Sequence, residues 1–258
     1  MSSISSKELS RIREKVQNGF LGVNFSIGTD STTFSSFVIE KEEQWIGVTA
    51  GHCIDDTIKA IHLLGREKAM LHLYPATIKP TDFAIPFSVD EFICSAWVND
   101  ANGNDIGFFK IHPSIKRLLL QAGVVPLIAK WEQDFSTEKT DYFLLGVPYK
   151  TVTTRILDER YAQVLGTLYI AEIEQIIKPN VLKAKPGFGF YGRIFSESVI
   201  PDIKGMSGGP IIERKVLKNG DEVFSIIGAQ SIWNKDSREI GSCLLMDFQK
   251  TLAEAIGM

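Results

Sequence analysis

Two successive series of short strand-like runs constrain the fold of this chain more than any other feature of its sequence. Each run is rich in β-branched and aromatic residues and is bounded by Gly, Asn, Asp or Ser, which is typical of strands joined by tight turns. The first series is GVNFSIG, TTFSSFVIE, QWIGVTA, EFICSAWV and DIGFFKI. The second is DYFLLGVPY, YAQVLGTLYIAEI, GFGFYGRIF, GPIIERKV, DEVFSIIGAQSIW and GSCLLMDF, with a hairpin turn at Asn219 and Gly220. The pattern predicts an all-β protein of two packed six-stranded antiparallel β-barrels.

Helical spacing occurs near both ends of the chain. Leu9, Ile12 and Val16 recur at this spacing among charged residues, so we expect a short N-terminal helix. Phe248, Leu252 and Ile256 fall on one face in the same way, which predicts a C-terminal helix. The expected units are a helical extension (1–19), a domain of two barrels (20–250, with the first at about 20–118 and the second at about 136–250) and the C-terminal helix (246–258).

Composition and charge exclude several classes of function. Hydrophobic residues make up 44% and charged residues 23% of the 258 positions, as in soluble globular proteins. A net charge of −3 provides no broad attraction to nucleic acid or anionic membrane, and no apolar run suits a signal peptide or a membrane span. The three cysteines, Cys53, Cys94 and Cys243, are an odd and sparse set, so we expect reduced thiols and a cytoplasmic protein.

The segment GMSGGP at residues 205–210 carries the strongest indication of function. A serine between glycines lies on a turn that can adopt unusual backbone angles, which exposes the hydroxyl and lets neighbouring N–H groups converge. Such N–H groups can bind the negative oxygen of a tetrahedral intermediate. Taken alone, the segment also fits a Gly-rich hairpin turn with no role in catalysis.

A histidine and an aspartate stand next to strand-like runs. His52 follows QWIGVTA, and its imidazole titrates near neutral pH, so it can accept a serine proton and return it to a leaving amine. Asp105 leads directly into an apolar run, where a carboxylate needs a partner such as a histidine N–H. Each residue alone also fits a structural role, since Asp before a strand is ordinary turn chemistry. We expect no catalytic role for His62, His72 and His112, which lack comparable context.

Together these segments resemble the trypsin-like (chymotrypsin-fold) serine peptidases, and more closely the bacterial intracellular type, distantly similar to HtrA protease domains, than the digestive enzymes. Thr49–Cys53 is similar to the TA-A-HC box of that family, Asp105–Gly107 to its D-I-A box and Gly205–Pro210 to its G-x-S-G-G-P box. The order His, Asp, Ser separates this family from subtilisins and α/β-hydrolases. The resemblance spans residues 20–250, and it includes Leu145–Pro148 as the start of the second barrel.

The resemblance implies a role for each matching residue. Ser207 would be the nucleophile, His52 the general base and acid, and Asp105 the residue that orients the imidazole. The backbone N–H groups of Gly205 and Ser207 would form the oxyanion hole. No metal or other cofactor is implied, because this chemistry needs none.

The sequence departs from the digestive enzymes at three places. Met206 stands where those enzymes have an aspartate that pairs with a freshly cut N-terminus, which excludes that form of zymogen activation. The acid that holds basic side chains in trypsin is replaced by Pro201, followed by Asp202. Ser231 lies on the strand that lines the primary pocket, and Trp233 stands where open-pocketed enzymes have glycine. Trp233 favours small side chains in that pocket and Asp202 favours basic ones, so both preferences remain open.

The sequence therefore predicts a serine endopeptidase that acts on proteins or peptides through an acyl-enzyme on Ser207. Because a free protease would be hazardous in the cytosol, we expect control by a protein activator or a narrow cleavage preference. Two alternatives use the same fold: a catalytically silent binding module, and an esterase-like acyl hydrolase with the same triad. We expect neither nucleic acid nor membrane as a partner.

Overall fold

The computed structural model of the protein describes residues 4–27, 30–76, 83–131, 140–158, 161–195, 200 and 202–257. Its described residues form a seven-stranded antiparallel sheet, a closed six-stranded barrel, a two-stranded ribbon and helices. The all-β class predicted from the strand-like runs is confirmed.

The first half of the chain forms an open sheet. Its strands are β1 (Phe20–Ile27), β2 (Asp30–Lys41), β3 (Gln44–Thr49), β4 (Ala69–Pro75), β5 (Ile85–Phe87), β6 (Ala96–Asn99) and β7 (Asp105–Lys110). Their spatial order is β5-β4-β1-β2-β3-β7-β6. The edge strands β5 and β6 are short and are not paired with each other, so the predicted first barrel of six strands is instead an open sheet of seven.

The second half forms the closed barrel. Its strands are β8 (Thr140–Gly146), β11 (Tyr169–Gln175), β12 (Phe190–Ile194), β13 (Pro210–Val216), β14 (Glu222–Trp233) and β15 (Glu239–Leu244), paired in the order β11-β12-β15-β14-β13-β8. The ribbon of β9 (Thr153–Ile156) and β10 (Ala162–Leu165) lies between β8 and β11 along the chain. The predicted hairpin turn joins β13 to β14, and Gly220 adopts a φ of +87° there. The predicted second barrel is confirmed.

Five α-helices accompany the strands in the described ranges: α1 (Ser6–Val16), α2 (Gly51–Leu64), α3 (Val89–Ile93), α4 (Pro113–Gln121) and α5 (Gln249–Ile256). Helices were expected at α1 and α5. The run EFICSAWV was interpreted as one strand, but its first residues belong to α3, because the Ser88 hydroxyl accepts the backbone N–H of Glu91 and starts a helical turn. Helix α2 was not foreseen, although Ile54, Ile58 and Ile61 recur at helical spacing and are buried.

The largest hydrophobic cluster lies between the open sheet and the barrel. It brings Phe37 and Phe108 of the sheet against Phe143 and Ile212 of the barrel, together with Ile12 of α1. This packing holds the middle of β2 and the end of β3 next to the turn that precedes β13. All three cysteines are free thiols, as expected. In the described residues, no helix combines the length and apolar character that a membrane crossing requires.

Candidate active site

His52 and Asp105 are joined by two hydrogen bonds. His52 lies in the first turn of α2, and Asp105 is the first residue of β7. The backbone N–H of His52 donates to Asp105 Oδ1 at 2.7 Å, and His52 Nδ1 lies 2.8 Å from Asp105 Oδ2. Because a carboxylate only accepts hydrogen bonds, the hydrogen belongs on Nδ1. The neutral ring then has its lone pair on Nε2, the nitrogen that a base needs.

The pKa of His52 reflects two opposing effects. Burial disfavours the imidazolium and lowers the pKa, while hydrogen bonds to Asp105 and Cys53 and the negative charge of Asp105 raise it. The second group of effects is the larger, so the pKa of His52 lies above its ordinary value.

The backbone of Asp105 is held by two buried side chains of the barrel. The Ser231 hydroxyl donates to the Asp105 carbonyl oxygen at 2.8 Å. The Asp105 N–H donates to Cys243 Sγ at 3.2 Å, and burial raises the pKa of this thiol to about 12. Ser231, a predicted pocket residue, is buried, and its hydroxyl contacts the strand that Asp105 begins. No sequence motif indicated Cys243.

The turn that carries Ser207 depends on two glycines with positive φ. Gly205 has a φ of +95°, and a Cβ there would lie 2.6 Å from the backbone nitrogen of Tyr149. Gly208 has a φ of +83°, and a Cβ there would lie 2.3 Å from the carbonyl oxygen of Ser35. Both the backbone angle and the close backbone contacts therefore require glycine at these two positions.

Ser35 on β2 fastens this turn to the open sheet. Its backbone N–H donates to the Ser207 carbonyl oxygen at 3.1 Å, and its hydroxyl donates to the Gly205 carbonyl oxygen at 3.1 Å. The same hydroxyl accepts the backbone N–H of Val147 at 3.1 Å. Sequence reasoning missed Ser35; the only signal was a serine pair in the apolar run TTFSSFVIE.

The peptide between Lys204 and Gly205 has a defined direction. The carbonyl oxygen of Lys204 accepts the backbone N–H of Tyr149 at 2.7 Å. In a trans peptide the C=O and N–H groups point to opposite sides, so the Gly205 N–H points away from Tyr149. Among the described residues, neither this N–H nor that of Ser207 has a hydrogen-bond acceptor. Two backbone donors are thus available on the turn.

Met206 anchors the same turn in the barrel. Its side chain is fully buried in an apolar cluster with Leu144, Ile203 and Ile211. A Cβ on Gly146 would lie 2.9 Å from the Met206 side chain, so the two residues are in close contact. Apolar packing holds the position at which the digestive enzymes use an ion pair.

A cavity of about 530 Å³ opens beside these groups. Its lining includes His52, Cys53, Gly205 and Ser207. The structure therefore brings the predicted nucleophile, the predicted base and both predicted oxyanion residues to a single cavity.

The residues predicted to form a specificity pocket lie elsewhere. Asp202 accepts the Lys204 N–H at 3.0 Å and lies 3.5 Å from Lys150 Nζ, and these contacts lower its pKa. Trp233 ends β14 opposite Ile240 and packs on the barrel cluster. Neither Asp202, Ser231 nor Trp233 lines the cavity at His52, and Pro201 lies outside the described residues.

Comparison with known proteins shows which solved structures share the fold of this chain. No family model and no curated protein matches the sequence. The solved structure of the Rv3671c protease from M. tuberculosis, in its active form, matches with a TM-score of 0.50 and 14% identity over 98% of this chain and 88% of that chain. A thermostable serine protease AL20 from an extremophilic microorganism matches with a TM-score of 0.52 and 13% identity over 93% and 97%. The chain has the fold of chymotrypsin-like serine proteases.

This chymotrypsin-like fold agrees with the resemblance found in the sequence. At 14% and 13% identity the likeness shows the fold alone, because one fold can carry many functions.

Proposed function

We propose that the protein is a serine endopeptidase that hydrolyses peptide bonds through an acyl-enzyme on Ser207. The observation that carries the proposal is the hydrogen-bonded pair of His52 and Asp105 beside a cavity that Ser207 and Gly205 also line. This constellation supplies a nucleophile, a base of fixed tautomer and a site for a negative oxygen.

In the proposed mechanism, Ser207 Oγ attacks the carbonyl carbon of the scissile bond while His52 Nε2 takes the hydroxyl proton. Asp105 keeps the imidazole in the productive tautomer and stabilises the imidazolium. The N–H groups of Gly205 and Ser207 donate to the oxygen of the tetrahedral intermediate. His52 then gives its proton to the leaving amine, the amine departs, and water releases the acyl group by the same steps in reverse.

Two routes of control suit such an enzyme: a protein activator and a narrow cleavage preference. The Lys204 carbonyl is already bound by Tyr149, and the Gly205 N–H has no acceptor among the described residues. Both features support an oxyanion hole that is formed without a partner. We therefore favour narrow specificity as the means of restraint in a cytoplasmic protein that cleaves protein or peptide substrates.

The contacts of Asp202 bear on which substrate side chain is preferred directly before the scissile bond. Its carboxylate already accepts a backbone N–H and faces Lys150, so part of its charge is compensated. This pairing supports a small side chain in the acyl-side pocket over a basic one.

Labelling with a fluorophosphonate probe, followed by peptide mapping, tests the proposed chemistry. We expect one label on Ser207 in the native chain and none in Ser207→Ala. Asp100→Asn is the matched control, because Asp100 is an exposed turn aspartate five residues before Asp105. Absence of labelling in the folded native chain would indicate a silent binding module. Labelling without cleavage of a peptide library, but with hydrolysis of simple esters, would indicate an esterase-like hydrolase.

A further inference from the structure

The cavity beside His52 has an apolar wall that the proposed catalytic steps do not use. Phe25 of β1 and Phe34 of β2 contribute to it, and both are buried, with 6% of Phe25 and 5% of Phe34 exposed. Ala60 of α2 adds a methyl group to the same wall. A volume of about 530 Å³ is larger than the reacting atoms need and lies in the range of sites that bind small ligands.

The two buried threonine hydroxyls of the lining are already paired within the protein. The Thr57 hydroxyl donates to the carbonyl oxygen of Cys53 at 2.7 Å. Thr33 Oγ1 accepts a hydrogen bond from Asn24 Nδ2 at 3.2 Å. An occupant therefore meets mainly carbon surface in the interior of the cavity, where burying apolar area is favourable.

Charge at the rim of the cavity is balanced. Asp56 and Lys204 both line it, and both are exposed. Since the two side chains carry opposite charges, the rim selects neither an acidic nor a basic occupant.

The position of the cavity indicates which part of a substrate it receives. In peptide hydrolysis the imidazole gives its proton to the leaving amine, so the leaving side of the substrate lies next to His52. From His52 the lining continues along α2 through Cys53, Thr57 and Ala60. Asp202, Ser231 and Trp233, which the family resemblance places on the acyl side, take no part in the lining.

We propose that this cavity is the main specificity site and that it takes an aromatic or large aliphatic side chain of the residue directly after the scissile bond. This inference rests on the proposed function and names its substrate class: peptides with a bulky apolar residue on the leaving side. Phe34 and Phe25 provide aromatic surface for such a side chain.

Digestion of a proteome-derived peptide library by the full-length protein tests the inference. We expect Phe, Tyr, Trp, Leu and Met to be enriched at least about fivefold at the first position after the cut, an effect that corresponds to about 1 kcal/mol. The enrichment should be larger than that of any residue before the cut. A flat distribution after the cut would overturn the inference.

A variant that fills the cavity makes the test specific to these residues. Ala60→Trp should shift the preference after the cut to Gly, Ala and Ser, and leave the residues before the cut unchanged. The matched control is Leu63→Trp on the same helix, because Leu63 is 82% exposed and does not line the cavity. Thermal unfolding establishes that both variants fold. An unchanged preference in folded Ala60→Trp would contradict the proposed site.

Fluorophosphonate labelling distinguishes failure of the inference from failure of the proposed function. If Ser207 is labelled and peptides are cut without preference after the cut, the inference fails and the proposed function stands. If Ser207 is not labelled and no peptide is cut, the proposed function fails and the inference fails with it.

Discussion

Ser35 donates its hydroxyl hydrogen to the carbonyl oxygen of Gly205 across 3.1 Å, which ties strand β2 of the open sheet to the turn that carries Ser207. The same hydroxyl accepts the N–H of Val147, at the end of β8. One buried side chain thus links the sheet, the barrel and the proposed oxyanion residue. Its removal should affect the geometry of that turn more than the fold.

Ser35→Ala is expected to lower kcat by at least about tenfold, because a displaced oxyanion donor costs up to about 10²–10³ in rate. The free energy of unfolding should fall by about 1–3 kcal/mol, because the variant leaves the Gly205 carbonyl and the Val147 N–H without their partner. Steady-state kinetics and thermal unfolding measure the two effects separately.

Ser36→Ala is the matched control, since the buried Ser36 hydroxyl donates to the Leu21 carbonyl oxygen on the neighbouring strand. It should lose a similar amount of stability and keep its kcat. Equal losses of kcat in the two variants would show that Ser35 has no special role in positioning the turn.

Asp105→Asn should reduce kcat on the order of 10⁴-fold, as the corresponding change does in trypsin. The backbone N–H of His52 requires an acceptor, so the asparagine oxygen will take the Oδ1 position and its NH₂ group will face Nδ1. That arrangement places the imidazole hydrogen on Nε2, and this nitrogen then cannot accept the serine proton. Asp100→Asn should retain full activity, and a severe loss in that variant instead would disprove the assignment of Asp105.

The pH profile follows from the raised pKa of His52. The folded protein favours the imidazolium, so a larger fraction of His52 is protonated at a given pH than in an unperturbed histidine. The activity should therefore rise with pH, about tenfold per unit on the acidic side, with a midpoint above the ordinary value of about 6.5. A profile of kcat/KM that is flat or falling between about pH 5 and 8 would contradict a histidine base.

Removal of residues 1–18 should destabilise the protein without activating it. Ile12 and Val16 are buried in the cluster between sheet and barrel, and Arg11 makes two hydrogen bonds to Glu222. None of the described α1 residues lines the cavity at Ser207. Ile12→Ala removes part of the same packing and should lower the free energy of unfolding by about 2–5 kcal/mol. A truncated chain with higher kcat than the full-length chain would identify the segment as an inhibitory propeptide.

Sequence patterns predicted those features that depend on local composition and spacing. The runs of β2 and β14 and the turn at Asn219 and Gly220 were recognised because the runs are rich in β-branched and aromatic residues and turn residues separate them. Helix α2 was missed because it begins immediately after β3, within the box that contains His52. Gly51 in this box was not explained by sequence either; a Cβ there would lie 2.0 Å from the carbonyl oxygen of Val98.

Contacts between residues that are far apart in the sequence could not be predicted from it. Ser35 lies 170 residues from Gly205, and Cys243 lies 138 residues from Asp105. Neither contact leaves a local pattern, because each is determined by how the barrel packs on the sheet. The same limit applies to Ser231: the strand that carries it was recognised, but the direction of its hydroxyl depends on the position of Asp105.

The rate of peptide cleavage by purified Ser207→Ala protein tests the central proposal most directly. The variant and the native chain should have the same unfolding temperature within error, and both should be given the same peptide library. We predict that cleavage by Ser207→Ala falls on the order of 10⁶-fold, to the background of the assay, as it does when the nucleophile of subtilisin is removed. Cleavage that persists in the pure variant at a rate near that of the native chain would contradict catalysis by Ser207.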